Sequence, residues 1–328
     1  MRAVAWTAYG PPEVLRLEEK GKPTPGARQI LVRIHAATVF AGDCEMRRSD
    51  ILPLFWLPVR LMMGLFRPRS GKVLGQELAG RVEAVGADVT EFSPGDAVLA
   101  PTELTLGAYA DYIVLNADAA IARKPDGVSW GEAAALCVGG LNALHFHRLA
   151  NIQAGEELLL VGAGGSIGTI VLQLAKQAGA RVTVVDSGDK LEKLMQLGAD
   201  DCVDFRRTDL SSLDRRFDVV FNIHKYADFT AGLNLLKAGG RLLLMNLYAG
   251  QLLRSFLVNR RSDKTVIVAL ARYDRKILQA LVDQLARKEL QVPIDRHYAL
   301  EDIVAAHRYV DSDHKFGNVV LDLVPETA

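Results

Sequence analysis

The stretch "LLLVGAGGSIGTIVLQLAKQAGARVTVVD" carries the residues best arranged for chemistry. An apolar run, Leu158 to Val161, meets glycines at 162, 164, 165 and 168, and a helical pattern follows at once. In a strand–turn–helix unit of this kind the first glycine allows a tight turn. The middle one lets a diphosphate approach the backbone, and the last lets helix and strand pack closely. The N–H groups that open the helix then face the anion. The three-position pattern falls on Ala163, Gly165 and Gly168, with Gly162 just ahead and Ser166 and Ile167 inside the loop. Asp186 ends the next apolar run, 21 residues after Gly165. A carboxylate there accepts both hydroxyls of an adenosine ribose and repels a 2′-phosphate. The expected cofactor is a nicotinamide dinucleotide, NAD(H) ahead of NADP(H), with Lys190 close enough to offset part of the charge.

A second constellation is "KVLGQELAG", residues 72 to 80, which sets Gln76 beside Glu77 at what reads as the end of a turn. An acid next to a polar side chain at a tight turn raises the question of a metal. An amide oxygen is a poor ligand for borderline-soft Zn²⁺.

These residues need elements to hold them. Up to about residue 120 the chain is rich in β-branched residues, glycine and proline, with alternating runs such as "ILVRIHAATV" (30–39) and "YADYIVL" (109–115). Period-two alternation bounded by turn signals argues for a barrel-like antiparallel arrangement, and no long helix is expected before residue 128. Ser129, with Glu132 three residues on, then opens a helix with a capping box. Apolar strands and helical patterns alternate from there, as in a parallel sheet covered on both faces. The tail reads as a helix from about Leu300 to Val310 and a strand at Val319 to Val324 that could rejoin the first domain. The fold class is α/β, a doubly wound parallel sheet plus a β-rich domain. The divisions fall at 1–124, 125–290 and 291–328.

At 328 residues, two domains are the better prior. Lys+Arg and Asp+Glu are both 39, so no net field draws a polyanion and nucleic acid is a poor partner. Cys44, Cys137 and Cys202 stand apart in sequence and form neither a metal clip nor a disulfide framework, which fits a reducing compartment. The N-terminus breaks into polar residues and prolines too soon for a signal peptide, and the protein is expected to be cytoplasmic. The longest apolar run, Ile51 to Phe66, holds Pro53, Pro58, Arg60 and Gly64 and falls short of the about 20 residues a spanning helix needs.

The chain resembles the medium-chain dehydrogenase/reductase superfamily, in its zinc-free quinone oxidoreductase-like branch. The resemblance rests on "VLGQELAGRVEAVGADVTEFSPGDAV" (73–98), "GAYADYIVL" (107–115), "EAAALCVGGLNAL" (132–144), the glycine loop, "LLKAGGRLLLMN" (235–246) and "HKFGNVVLDL" (314–323). It implies a Rossmann domain inserted in a GroES-like catalytic domain, an active site between them, and dimers or tetramers, so a homodimer is expected. Zinc-dependent members carry a cysteine three residues before an aspartate and a histidine in a G-H-E triplet. Those positions here are Phe40, ahead of Asp43, and Gln76, so no zinc is expected.

Without a Lewis acid, hydride transfer favours acceptors that spread the incoming charge by conjugation. The resemblance likewise implies a small hydrophobic quinone or α,β-unsaturated carbonyl. A metal-free alcohol dehydrogenase and a cofactor-binding protein with little turnover are the competing readings. Gln76 is expected to face the site as a neutral donor and Glu77 to buttress the turn. Asp43 and Cys44 are the nearest titratable groups for protonating a product; a turn-bonding role for Asp43, a packing role for Cys44 and protonation by solvent compete with that. Asn142 stands near the cofactor by resemblance. Asn222 and Asn246 end successive strands on the carboxyl edge where dinucleotides bind, a position that turn-forming asparagines also favour. Phe316, Gly317 and Asn318 match the closing motif near the cofactor. The basic-apolar segment 47–69 stands where the family's loop covers the substrate pocket. It reads as an apolar lid offering Phe55, Trp56, Met62 and Met63, as packing onto the barrel, or as a membrane-surface patch.

Overall fold

The computed structural model describes residues 1–51, 53–224, 228–245 and 249–324. The chain forms two compact units, one built from Met1–Ile51, Phe55–Leu141 and Tyr273–Ala328, the other from Leu52–Leu54 and Asn142–Arg272. The division after Leu141 falls inside the helix Trp130–Ala150. That helix starts where the Ser129 hydroxyl accepts from the Glu132 amide at 3.1 Å and the Glu132 carboxylate accepts from the Ser129 amide at 3.0 Å. Two of the helix's otherwise unpaired donors are thereby satisfied.

The inner unit is a six-stranded, all-parallel sheet. Its spatial order is Asp201–Asp204, Arg181–Asp186, Glu157–Val161, Phe217–Asn222, Leu236–Leu244 and Thr265–Val268. Counted along the chain this is 3-2-1-4-5-6, the order of a dinucleotide-binding fold. Leu158, Leu159 and Leu160 are all fully buried, because helices cover both faces and leave no solvent side to a central strand. The order reverses between Glu157–Val161 and Phe217–Asn222, which pair with Asn222 beside Val161. A crevice therefore opens at the carboxyl ends of these two strands.

The outer unit holds a hairpin, Arg2–Trp6 with Leu15–Glu19, and a seven-stranded sheet around the long strand Gln29–Thr38. Glu77–Val85 pairs antiparallel with one edge of that strand. Tyr112–Asn116 and Asn318–Asp322 share the other, so the tail does rejoin the first sheet. The tail helix Ile303–Asp311 buries Ile303, Ala306, His307 and Val310, the spacing of a single helical face. Ile30, Ile34, Leu78, Leu99 and Tyr109 are among the large side chains that fill the core.

Before residue 128 the helices are short, Ala41–Arg48 with 8 residues and Pro53–Met63 with 11, neither of them singled out by the alternation. Pro58 lies in the second turn of the latter, where it forfeits a single backbone hydrogen bond. The helix ends at Gly64, whose φ of +127° lies outside the range that other residues adopt readily.

Candidate functional site

The glycine loop begins where Val161 leaves the sheet. Gly162 turns at φ +84° and its N–H donates to the Val185 carbonyl at 3.0 Å, tying the loop to the neighbouring strand. The helix Gly168–Gln177 follows. A β-carbon on Gly168 would lie 2.5 Å from the carbonyl oxygens of Gly162 and Ala163, so only glycine lets helix and loop approach this closely. A β-carbon on Gly165 would meet nothing nearer than 3.9 Å, which leaves the approach to that backbone open. Asp186 is buried and bound on both oxygens: Oδ2 accepts from the Gly164 N–H at 2.7 Å, and Oδ1 accepts from the Ser187 N–H at 2.8 Å. Lys190 Nζ lies 3.3 Å from Oδ1. The acid thus shapes the loop as well as marking its edge. Asn222, across the crevice at the end of its strand, is buried, and its Oδ1 has no hydrogen-bond partner among the described residues. A buried acceptor without a partner is costly unless a ligand supplies the donor. Loop, acid and asparagine together fit a dinucleotide.

In the outer unit two turns are stitched together by one carboxylate. The N–H of Phe40 donates to Asp43 Oδ2 at 3.1 Å and the N–H of Gly75 to Asp43 Oδ1 at 3.2 Å. Gly75 takes φ +102°, and a β-carbon there would lie 2.7 Å from the Tyr109 ring. Thr102 clamps the same turn, with its Oγ1 donating to the Gly75 carbonyl at 2.9 Å and its N–H donating to the Gln76 carbonyl at 2.7 Å. The Gln76 side chain lies over Gly42, where an added β-carbon would come within 2.8 Å of Nε2. Glu77, fully buried, accepts from the Thr38 hydroxyl and from the Val138 N–H, the latter at 2.6 Å.

Burial pushes both acids up, to about 7 for Asp43 and about 7 for Glu77. For Asp43 the Phe40 N–H, the Tyr109 hydroxyl and the Gln76 amide pull the other way, and for Glu77 Thr38 and the Val138 N–H do so. Unfolded, the two groups titrate at 3.8 and 4.5. Between those values and 7 the folded chain therefore holds more protons than the unfolded one. Their contribution to stability is complete below the unfolded values and is lost as pH rises through 7. Glu77→Gln, which keeps the shape without the titration, should reveal this in urea melts. The stability of wild type relative to the variant is expected to fall by up to about 1.4 kcal/mol per pH unit between pH 5 and 7. A difference that does not change with pH would contradict the assignment.

Beneath the two turns runs a buried polar chain that sequence reasoning missed. Arg47 is fully buried; its Nη2 lies 2.5 Å from Asp311 Oδ2, its Nη1 2.9 Å from His307 Nδ1, and its Nε donates to the Gly10 carbonyl at 3.0 Å. A guanidinium only donates, so His307 Nδ1 accepts and Nε2 carries the proton. Burial, and Arg47 after it, lower His307 to about 3, so the ring is neutral. Cys44 Sγ sits 3.2 Å from the same Nδ1, and the His307 ring meets Tyr109 edge-on at 5.6 Å. The apolar spacing of residues 303, 306, 307 and 310 was the available signal for His307.

The remaining candidates are scattered. Asn142 is half-buried on the helix Trp130–Ala150. Asn246 lies outside the described residues. Phe316 is buried. Gly317, at φ +69°, accepts through its carbonyl from Lys315 Nζ at 2.7 Å. The Asn318 amide donates to the Pro293 carbonyl at 3.0 Å and so fastens the start of the tail strand. Trp56 and Met62 are exposed and Phe55 is half-buried, but Met63 is 0% exposed and belongs to the outer unit's core. The expectation that Met63 lines a lid is corrected. It falls on the inner face of its helix, one turn on from Val59, which packs on the same core.

Among the described residues no three His, Cys, Asp or Glu side chains converge as a metal set would. At the turn itself the ring of Phe40 and the amide of Gln76 do not fit zinc.

Residues 26–126 match the alcohol dehydrogenase GroES-like domain, and residues 197–321 match the zinc-binding dehydrogenase family. A quinone oxidoreductase of Pseudomonas aeruginosa is 28% identical over 337 residues, covering 98% of this chain and 99% of that protein. A 2-methylene-furan-3-one reductase of Solanum lycopersicum is 26% identical, over 99% of this chain and 80% of its own. Among solved structures, the quinone oxidoreductase from Coxiella burnetii superposes with a TM-score of 0.89 at 25% identity, over 99% of both chains.

Proposed function

Since the chain belongs to the medium-chain dehydrogenase/reductase superfamily, in its quinone oxidoreductase-like branch, and is an NAD(P)H-dependent oxidoreductase, we propose that it reduces a small hydrophobic quinone or α,β-unsaturated carbonyl without zinc. The observation that carries the proposal is the donor set at the 40–43 and 75–77 turns, where Phe40 and the Gln76 amide stand in place of ligating side chains. The relatives named for quinone and methylene-furanone reduction support the same acceptor class.

Bound nicotinamide would supply the hydride. The glycine loop would hold its diphosphate and Asp186 its adenosine ribose, and Asn222 would have a donor for Oδ1. In the outer unit the Gln76 amide would give a neutral N–H to the oxygen that gains charge. Its backbone is fixed from both sides by Thr102 and by Asp43 through Gly75, so it need not reorganise during the reaction. Asp43, poised near neutrality, would hold a proton close to that amide. The branch also supports a homodimer.

The test is purified protein with NADH or NADPH and a panel of quinones and enones. Oxidation of NADH by at least one conjugated acceptor is expected. Cofactor binding seen by fluorescence with no oxidation of either cofactor would leave a binding protein, and stoichiometric zinc in the purified protein would sink the metal-free reading. Cofactor choice is tested separately. In Asp186→Ala the Lys190 ammonium meets a 2′-phosphate without the opposing carboxylate, so the preference for NADH over NADPH should fall by about tenfold, near 1.4 kcal/mol. An unchanged ratio would remove Asp186 from that role.

A further inference from the structure

On the helix Pro53–Met63 the side turned inward is held by Val59 and Met63 in the core, by Arg60 stacked 3.8 Å over the Tyr9 ring, and by the Tyr9 hydroxyl donating to the Gly64 carbonyl at 2.6 Å. The solvent side of such a helix is ordinarily polar. Here it presents Trp56, Leu57, Leu61 and Met62, and the patch continues through Leu65 and Phe66. Leu57 is 52%, Leu61 56% and Phe66 90% exposed, so these are large side chains standing in water on a face anchored from behind. Contiguous apolar surface of this kind marks an interaction site rather than ordinary scatter.

Charge identifies the occupant. The chain as a whole balances 39 cations with 39 anions, yet residues 51–76 hold Arg60, Arg67, Arg69 and Lys72 and no Asp or Glu. Arg67 and Arg69 are exposed and directly follow Phe66. An apolar helix face with Trp, Leu and Phe, followed by exposed Arg67 and Arg69 and preceded by a single exposed acid, Asp50, matches the boundary between lipid headgroups and acyl chains. No described helix is long and apolar enough to cross a bilayer, so the segment would lie on the surface. We propose that the helix Pro53–Met63 and residues 64–69 dock onto an anionic lipid surface, with the apolar side chains sunk among the acyl chains and Arg67 and Arg69 at the headgroups. A second copy of the chain would bring Arg67 and Arg69 against their own like charges, which disfavours it as the occupant. The docking does not depend on the acceptor reading. Taken with it, it places the enzyme where hydrophobic quinones are concentrated.

Flotation of the full chain with extruded vesicles tests this. Vesicles of phosphatidylcholine with a minor fraction of phosphatidylglycerol should carry the protein up, and pure phosphatidylcholine should carry far less. Leu61→Asp and Phe66→Asp should each weaken binding by about tenfold or more, because each exchanges buried apolar area for a charge facing anionic lipid. The double reversal Arg67→Glu and Arg69→Glu should cost more than that, each arginine near such a surface being worth about fivefold, and added salt should erase the wild-type preference for anionic vesicles. NADH binding that is unchanged in Phe66→Asp would show that the variant is folded. Failure of the wild type to float with anionic vesicles, or undiminished flotation of Phe66→Asp, would overturn the proposal. So would a solution dimer that dissociates in Phe66→Asp with no lipid binding, which would assign the face to a second copy.

Discussion

Arg47→Met is expected to lower stability by about 3 kcal/mol, read as a shift in the urea midpoint at unchanged slope. The guanidinium is fully enclosed and serves Asp311, His307 and the Gly10 carbonyl at once. Removing it leaves the Gly10 carbonyl without its donor, His307 Nδ1 with only the weak Cys44 thiol, and Asp311 with less of its counter-charge. Arg48 remains on Asp311, which keeps the loss toward the lower end for a broken buried pair. Arg48→Met is the matched control. Arg48 is partly exposed and also faces Asp50 at 4.0 Å, so its removal should cost no more than about 1 kcal/mol. Equal effects of the two substitutions would show that the buried chain contributes nothing beyond a surface pair.

Gly168→Val is expected to weaken NADH binding by about a hundredfold while costing about 1–3 kcal/mol of stability. The two carbonyls 2.5 Å from the β-carbon position belong to the turn that would present its N–H groups to the diphosphate. Relief of the overlap moves that turn by roughly an ångström, more than hydrogen-bond geometry tolerates. Gly165→Ala separates fold from ligand, because its β-carbon meets no protein atom within 3.8 Å. It should melt like wild type and still bind NADH less well, since the added methyl occupies the space left for close approach. Fluorescence titration beside thermal melts distinguishes the two. NADH affinity unchanged in both variants would place the cofactor elsewhere.

What the sequence revealed follows from how local each signal is. The capping box at Ser129 and Glu132 involves residues three apart, and the glycine loop is a single turn with its strand and helix, so both could be recognised before any packing was known. Buried parallel strands announce themselves as unbroken apolar runs. The order of the six strands is a property of crossovers, and its outline came by resemblance. The pairing of Arg47 with His307 and Asp311 spans about 260 residues, and no periodicity connects residues so far apart. Met63 was misplaced because a run that is apolar on every face does not say which side turns inward. The helix at 53–63 was missed because prolines argue against helices more strongly, in a local reading, than packing on a barrel allows them to.

The strand Asn318–Asp322 closes the outer sheet against residues 36–38, and the helix before it brings His307 and Asp311 to Arg47. During synthesis, the first forty-odd residues must therefore wait for almost the whole chain to emerge before their sheet edge is covered and their buried cation is neutralised. The inner unit has no such dependence, since its six strands lie consecutively between residues 157 and 268. It can become native on the ribosome while the outer unit remains incomplete, and a stall in translation before residue 318 would leave the 36–38 edge of the strand Gln29–Thr38 open to aggregation.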